Sequence, residues 1–195
     1  MTLILASKSP SRMAMLDAAG VGYESIPAEI DERALEASFD GCTSTEIAEA
    51  LSVAKAQAVA SKTPGRLVLG SDSLVVCNGQ RFDKPKDRGQ AAEHLRFFSG
   101  KVMELHSAAA IVRDDTCEWS EATSAYLSVR ELSPAFIEHY LDAEWPEVSH
   151  CVGVFRIEAM GVQLFEKIEG DHFTVLGMPL LPVLGALREL GELET

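Results

Sequence analysis

Basic residues are scarce in this chain: 17 Lys plus Arg stand against 30 Asp plus Glu, for a formal net charge of -13. A surface of that sign does not attract nucleic acid or anionic lipid, so any polyanion must be held locally. Cysteine is sparse too. Cys42, Cys77, Cys117 and Cys151 lie far apart with no CxxC pair, which argues against a zinc knuckle or thioredoxin-type motif and predicts reduced, buried thiols. No stretch approaches the ~20 apolar residues of a membrane span, and the apolar part of MTLILASKSP is too short for a signal peptide. A cytoplasmic address is expected. The five histidines show no HExxH spacing, and GxxxxGK[ST], GxGxxG and GxSxG are missing, which weighs against P-loop, Rossmann and α/β-hydrolase chemistry. Repeats, low-complexity tracts and Ser/Gly-rich linkers are lacking as well.

What is present describes a chain that folds. At 195 residues, with 47% hydrophobic, 24% charged and 7% aromatic residues, it predicts one domain over 1–195, or two tightly joined lobes sharing a cleft. Leu3-Ile4-Leu5-Ala6 reads as a buried strand, followed by Ser9-Pro10 as cap and first helical residue of a helix to about Ala19. After an extended stretch from Val21 to Ile30, Thr43-x-x-Glu46 is a capping box for a helix ending near Ser61. Two short strands are expected at 66–70 and 74–77, with Ser71-Asp72-Ser73 between them and an Asn78-Gly79 hairpin turn after. Asp87-x-x-Gln90 opens a helix that Gly100 closes, strands then dominate through Arg130, and Ser133-Pro134 opens a helix through roughly Leu141. Strands at Val154–Ile157 and Val162–Ile168 and a helix over Leu180–Leu190 complete the pattern. Because hairpins interrupt the βαβ rhythm, the expected class is α/β with a mixed sheet.

Chemistry is suggested first at Ser7-Lys8-Ser9-Pro10-Ser11-Arg12, where two cations stand at the positive end of a helix. That placement opposes the macrodipole unless free N–H groups, the serines, Lys8 and Arg12 together meet an anion such as phosphate; a solvated surface charge is the other account. Asp31-Glu32, Asp72 and Glu158 are carboxylates at or near predicted strand ends and suit Mg²⁺, although most acidic residues of so acidic a chain are simply exposed. Asp72 stands out, because flanking buried strands leave it either paired in the interior or lining a cleft. Lys55 falls beside the apolar face of its helix, which snorkelling explains equally well, and Lys84-Pro85 is either an aimed lysine or a polar turn. Met13, Met15 and Phe97-Phe98 read as core.

Taken in order, these segments resemble the Maf family of nucleoside triphosphate pyrophosphatases. Leu5-Ala-Ser-Lys-Ser-Pro-Ser-Arg12 is similar to that family's LASxSPRR opening, Asp31-Glu32 to its DE pair, Lys55 to its helical lysine, and Gly70-Ser-Asp72-Ser to its GADT segment. Asp83-Lys84-Pro85 resembles the KP element, Phe98-Ser99-Gly100 the LSG, Gly153-Val-Phe-Arg-Ile-Glu158 the GAYxIQG, and the stretch 170–179 the GDxxNVVGLP motif. The resemblance covers essentially the whole chain. It implies a Maf/ITPase-like α/β fold of two lobes around a central cleft, commonly dimeric, that hydrolyses nucleotides to monophosphate and pyrophosphate. It also implies a divalent metal, Mg²⁺ or alternatively Mn²⁺. By matching position, Asp72 is the general base or a metal ligand, Glu32 a metal ligand, and Ser7, Arg12, Lys55 and Lys84 bind phosphate, with Lys55 and Lys84 acting in catalysis alongside Asp72.

Departures from the dTTP/UTP-preferring branch fall at Ser11, Ser73 and Glu158, three positions that the resemblance links to base selectivity. The Glu resembles the branch acting on 7-methyl-GTP, whose cationic base suits a carboxylate, although Ser11 replaces an aromatic often found there. Two other functions compete: a non-catalytic nucleotide-binding regulator of cell division, and an aspartyl-phosphate phosphatase, whose DxDxT pattern Ser73-Leu74 breaks.

Overall fold

The computed structural model describes residues 2–36 and 38–194. Its strands are β1 (Leu3–Leu5), β2 (Tyr23–Ser25), β3 (Leu67–Cys77), β4 (Gln80–Phe82), β5 (Val102–Arg113), β6 (Thr116–Val129) and β7 (Phe165–Glu169). The helices are α1 (Pro10–Ala18), α2 (Glu32–Glu36), α3 (Ser44–Ala60), α4 (Arg88–Phe98), α5 (Pro134–Glu144), α6 (His172–Leu176) and α7 (Leu180–Glu189). One seven-stranded sheet runs β2-β1-β3-β5-β6-β7, with β4 paired to β3. It is mixed, as expected: β1 lies parallel to β2 and β3, whereas β3/β4 and β6/β7 are antiparallel. None of the described helices is long and apolar enough to cross a membrane.

Two compact units divide the chain. The first takes in everything up to Ser73, His106–Thr123 and the segment from Asp171 onward; the second is Leu74–Leu105 and Ser124–Gly170. In the first unit β1 is apolar on both faces, which explains its unbroken run of aliphatic residues. Leu3 and Leu5 pack with Met15 and Leu16 of α1 and Val183 and Leu187 of α7, while Ile4 and Ala6 meet Ala56, Val59 and Ala60 of α3.

Several local signals act as the sequence suggests. Thr43 caps α3 with the full reciprocal box to Glu46, and Asp87 and Ser133 cap α4 and α5 through their side chains. Asn78 and Gly79 both take positive φ, as the tight hairpin between β3 and β4 requires. Ser9 differs: it stands at the N-cap of α1 but makes no side-chain cap bond, so the first N–H groups of that helix are not satisfied by it.

Other expectations are overturned. The two strands foreseen at 66–70 and 74–77 are one continuous strand, β3, so Asp72 lies inside a strand and not in a loop between two. The hydroxyls that read as a turn are met by distant carbonyls instead: Ser71 Oγ donates to Ala108 O at 2.8 Å and Ser73 Oγ to Gly177 O at 2.8 Å. Val154–Ile157 is not a strand. Val154 sits at φ +56, a conformation a β-branched residue adopts only under strain, which breaks any ladder there. The strand foreseen from Val162 begins only at Phe165, after a 3-10 turn over Met160–Leu164. α5 continues to Glu144, three residues beyond its expected end. The thiols are free, but only Cys77 is fully buried; Cys151 is half-buried, and Cys42 and Cys117 are exposed.

In the second unit Phe82, His94 and Phe98 form an edge-to-face cluster, with the His94 ring 5.1 Å from that of Phe82. Burial holds the imidazole below its ordinary pKa, with Glu93 and Asp83 acting in the opposite sense, and Nδ1 is buried without a partner. As pH falls below about 6.5 the unfolded chain therefore takes up this proton before the folded one does. The stability that His94 contributes is present above that pH and is lost as pH falls toward the folded pKa. His94→Phe is expected to make the dependence of Tm on pH shallower between about pH 7 and about pH 5. Thermal melts across that range check it, and parallel curves for the variant and the parent would assign the acid sensitivity to other groups.

Candidate active site

The first unit gathers most of the residues that the sequence singled out. α3 packs so closely on β3 that a Cβ at Gly70 would stand 2.1 Å from Ser52 O, and this contact sets the height of Lys55 over the strand. Lys55 Nζ lies 2.5 Å from Asp72 Oδ1 and 3.1 Å from an oxygen of Glu32, the first residue of α2. Both Lys55 and Asp72 are largely removed from water, with side chains 12% and 8% exposed, whereas the Glu32 side chain is 47% exposed. A buried pair this tight costs desolvation that Coulomb attraction offsets only with good geometry. One oxygen, Asp72 Oδ2, is nevertheless buried with no hydrogen-bond partner. An orphaned carboxylate oxygen beside a second carboxylate is an unsatisfied acceptor waiting for a proton or a cation.

Arg12 projects from α1 into the same strand. Its Nε donates to Gly177 O at 3.0 Å, one Nη to Ser71 O at 2.9 Å and to Ser7 Oγ at 3.4 Å, and the other Nη to Ser73 Oγ at 3.2 Å. Four of its five N–H groups thus serve protein acceptors, so Arg12 ties α1 to β3 and to the glycine turn ahead of α7. Burial lowers the pKa of the guanidinium, and the nearby Asp72 and Glu32 oppose that. Asp72 therefore faces two cations. Gly177 supplies the shared carbonyl from the left-handed region, φ +102, that its turn requires. Behind it, Ser107 Oγ contacts Ser73 Oγ at 3.0 Å and donates to Thr174 O at 2.9 Å. Ser107 carries no short-range sequence signal, because its partners Ser73 and Thr174 lie 34 and 67 residues away in the chain.

Around the start of α1, Ser7 is buried and its Oγ accepts from Ser9 N at 3.1 Å, while Ser9 and Ser11 hydroxyls lie 3.1 Å apart. Lys8 is exposed on this loop. Ser7, Ser9, Ser11 and Lys8 thus stand together at the start of α1, which Ser9, expected as its cap, leaves without a side-chain cap bond.

Lys84 and Glu158 belong to the second unit. Glu158 is exposed, on the irregular segment ahead of the 3-10 turn, so neither it nor Glu32 sits at a strand end. Within this unit the Cys151 thiol is pushed up to about 11, first by burial and then by Glu158, with Arg156 and Lys84 pulling it down and Glu144 raising it. Lys84, Arg156, Glu144 and Glu158 are thereby neighbours of one thiol. At that value Cys151 stays a neutral thiol near pH 7 and is no nucleophile.

Residues 2–190 match the family described as Maf-like protein. The chain belongs to the Maf family. Among its relatives, a protein of Nitrobacter hamburgensis named nucleoside triphosphate pyrophosphatase is 48% identical over 191 residues, covering 98% of this chain and 95% of that one. A protein of Rhizobium etli named 7-methyl-GTP pyrophosphatase is 45% identical over 194 residues, covering 98% of each chain. One of Jannaschia sp. named nucleoside triphosphate pyrophosphatase 1 is 45% identical over 191 residues, covering 97% and 96%. Relatives with both kinds of name therefore stand at nearly equal distance from this Maf-family chain.

Proposed function

We propose that this protein is a nucleoside triphosphate pyrophosphatase that hydrolyses an NTP between the α and β phosphates, giving a monophosphate and pyrophosphate. The observation that carries the proposal is the buried Asp72–Lys55 pair with its orphaned Oδ2, held beside Glu32 and Arg12. Asp72 offers Oδ2 to the proton of an attacking water or to a metal. Glu32 and Asp72 would hold a divalent cation, Mg²⁺ or Mn²⁺, since such ions take one or two carboxylates and complete their shell with water and substrate phosphate. When bound, that ion supplies charge neutralisation at phosphorus and a more acidic water. Lys55 pairs with Asp72 Oδ1 and adds positive charge, while Ser7, Lys8, Ser9 and Ser11 present donors at the uncapped start of α1 to a phosphate. Arg12 fixes that loop to β3 and brings its own charge to the same place. Lys84 is a further phosphate-binding cation. These cations reconcile an anionic substrate with a net charge of -13. A cytoplasmic address, where nucleotides are plentiful, completes the proposal.

Glu158 is proposed to select the base. A carboxylate only accepts hydrogen bonds, so it suits the N1–H and N2–H₂ edge of guanine and above all cationic 7-methylguanine. An amide at that position both donates and accepts and fits the imide edge of uracil.

The test is phosphate release from 7-methyl-GTP, GTP and UTP with Mg²⁺, with and without inorganic pyrophosphatase as coupling enzyme. Signal that needs the coupling enzyme identifies pyrophosphate as the product. Signal without it would identify a phosphatase, and silence on every nucleotide would leave a non-catalytic binding protein. In the same assay Glu158→Gln should lower kcat/KM for the guanine substrates by ~1–3 kcal/mol and spare UTP. An equal loss on all three would give Glu158 a metal-binding or structural role instead.

A further inference from the structure

Glu144 is placed where stability alone would not put it. It is the last residue of α5, where a negative charge opposes the helix dipole, and its side chain is only 7% exposed. A buried charge pair of this kind is often no more stable than well-packed apolar residues, so its presence calls for another reason. Both of its oxygens reach the same stretch of chain. Oε2 accepts from Arg156 Nε at 2.9 Å and Oε1 from Met160 N at 3.2 Å, which brackets Glu158 between two fixed points. One turn earlier on α5, the buried Tyr140 donates its hydroxyl to Val154 O at 3.0 Å, pinning the residue at φ +56 that starts the stretch. Gly161 closes it from the other end, since a Cβ there would lie 2.4 Å from Arg156 O. α5 is itself stitched to α4 through Arg88, which reaches Glu138 at 2.8 Å and Asp142 at 2.6 Å.

We infer that Glu144 and Tyr140 are positioning residues: α5 clamps segment 154–160 at Val154, Arg156 and Met160 so that the exposed Glu158 is presented in one fixed place, and this fixity sets base selectivity. The inference rests on the proposal that Glu158 contacts the base, and goes beyond it by naming what holds Glu158. Selectivity by hydrogen bonding needs acceptors that cannot drift to suit the wrong edge, because a mobile carboxylate would satisfy several bases equally. Segment 154–160 has no ladder of its own to supply that rigidity; the side chains of α5 supply it.

Glu144→Gln tests this, because the amide turns one acceptor into a donor facing either Arg156 Nε–H or Met160 N–H. The ratio of kcat/KM on 7-methyl-GTP to that on UTP is expected to fall about tenfold, while kcat on UTP stays within about threefold of the parent. Tyr140→Phe is the gentler companion, expected to lower the same ratio by about threefold, and it carries the test alone if Glu144→Gln does not melt cooperatively. Glu144→Gln added to Glu158→Gln should lower the ratio no further than Glu158→Gln by itself. Equal losses on both substrates from either clamp variant, or additive losses in the double variant, would overturn the inference and reduce Glu144 to a structural ion pair. If Glu158→Gln alone leaves the ratio unchanged, it is the base-contact proposal that fails, and the clamp falls with it.

Discussion

Replacing Asp72 with asparagine is expected to cut kcat for nucleotide hydrolysis by at least ~10²-fold and to leave a folded protein. The side chain keeps its shape, so β3 and its packing are undisturbed, but three capacities vanish together. An amide oxygen does not take a proton from water near neutral pH, binds a hard divalent cation poorly, and no longer balances Lys55 at 2.5 Å. Lys55 retains Glu32 at 3.1 Å, which limits the cost of leaving an ammonium in a site this dry. Steady-state assays with saturating Mg²⁺ together with a thermal melt separate the two effects. Turnover close to the parent would remove Asp72 from the chemistry, and loss of the cooperative melt would mean that the pair is needed for folding first.

Where the chain could be read from its sequence, the determinants were local. Thr43 and Glu46 cap each other across three residues, and Asn78-Gly79 specifies its turn by backbone preference alone, so both follow from residue type and spacing. The mixed sheet followed from hairpins interrupting parallel crossovers. What escaped depended on partners far along the chain. Ser71-Asp72-Ser73 has the composition of a turn, yet the carbonyls of Ala108 and Gly177 absorb its hydroxyls and let the strand run through. α2 and α6 span five residues each, too short for any helical periodicity, and so the helix that carries Glu32 had no signature. Val154 and Phe155 are apolar because they are buried, Phe155 against the ring of Phe165, and not because they pair in a sheet.

The site shows the same division. Family resemblance named Asp72, Lys55, Glu32 and Arg12 one by one, but neither spacing nor composition brings Lys55 onto Asp72, which is a contact across 17 residues made by a helix resting on a strand. Nor did the sequence foretell that Arg12 would serve Gly177, Ser71, Ser73 and Ser7 before any ligand. A cation at a helix start looked like an anion-binding device; in the structure it is equally a fastener of the loop that would do the binding.

That helix-on-strand contact predicts the second large effect. Gly70→Ala should lower Tm by about 5–10 °C and kcat/KM by at least about tenfold, because the added methyl meets backbone and not a side chain that can turn away. Its Cβ would stand 2.1 Å from Ser52 O and 2.8 Å from Ala56 N, distances that no rotamer change relieves. Either α3 lifts from β3 or the strand bows, and in both cases Lys55, one residue before Ala56, loses its register over Asp72 two residues beyond Gly70. Nor should shortening the helix side help: Ala56→Gly removes only the third contact, a Cβ at 3.0 Å, and leaves the carbonyl and the amide in place. The double variant Gly70→Ala/Ala56→Gly is therefore expected to be no more stable than Gly70→Ala, since glycine within a helix costs a further ~1 kcal/mol. Thermal denaturation and the pyrophosphate assay on the two variants check this directly. A Gly70→Ala protein with parental Tm and parental kcat/KM would show that α3 does not hold Lys55 in place by resting on the bare backbone of β3.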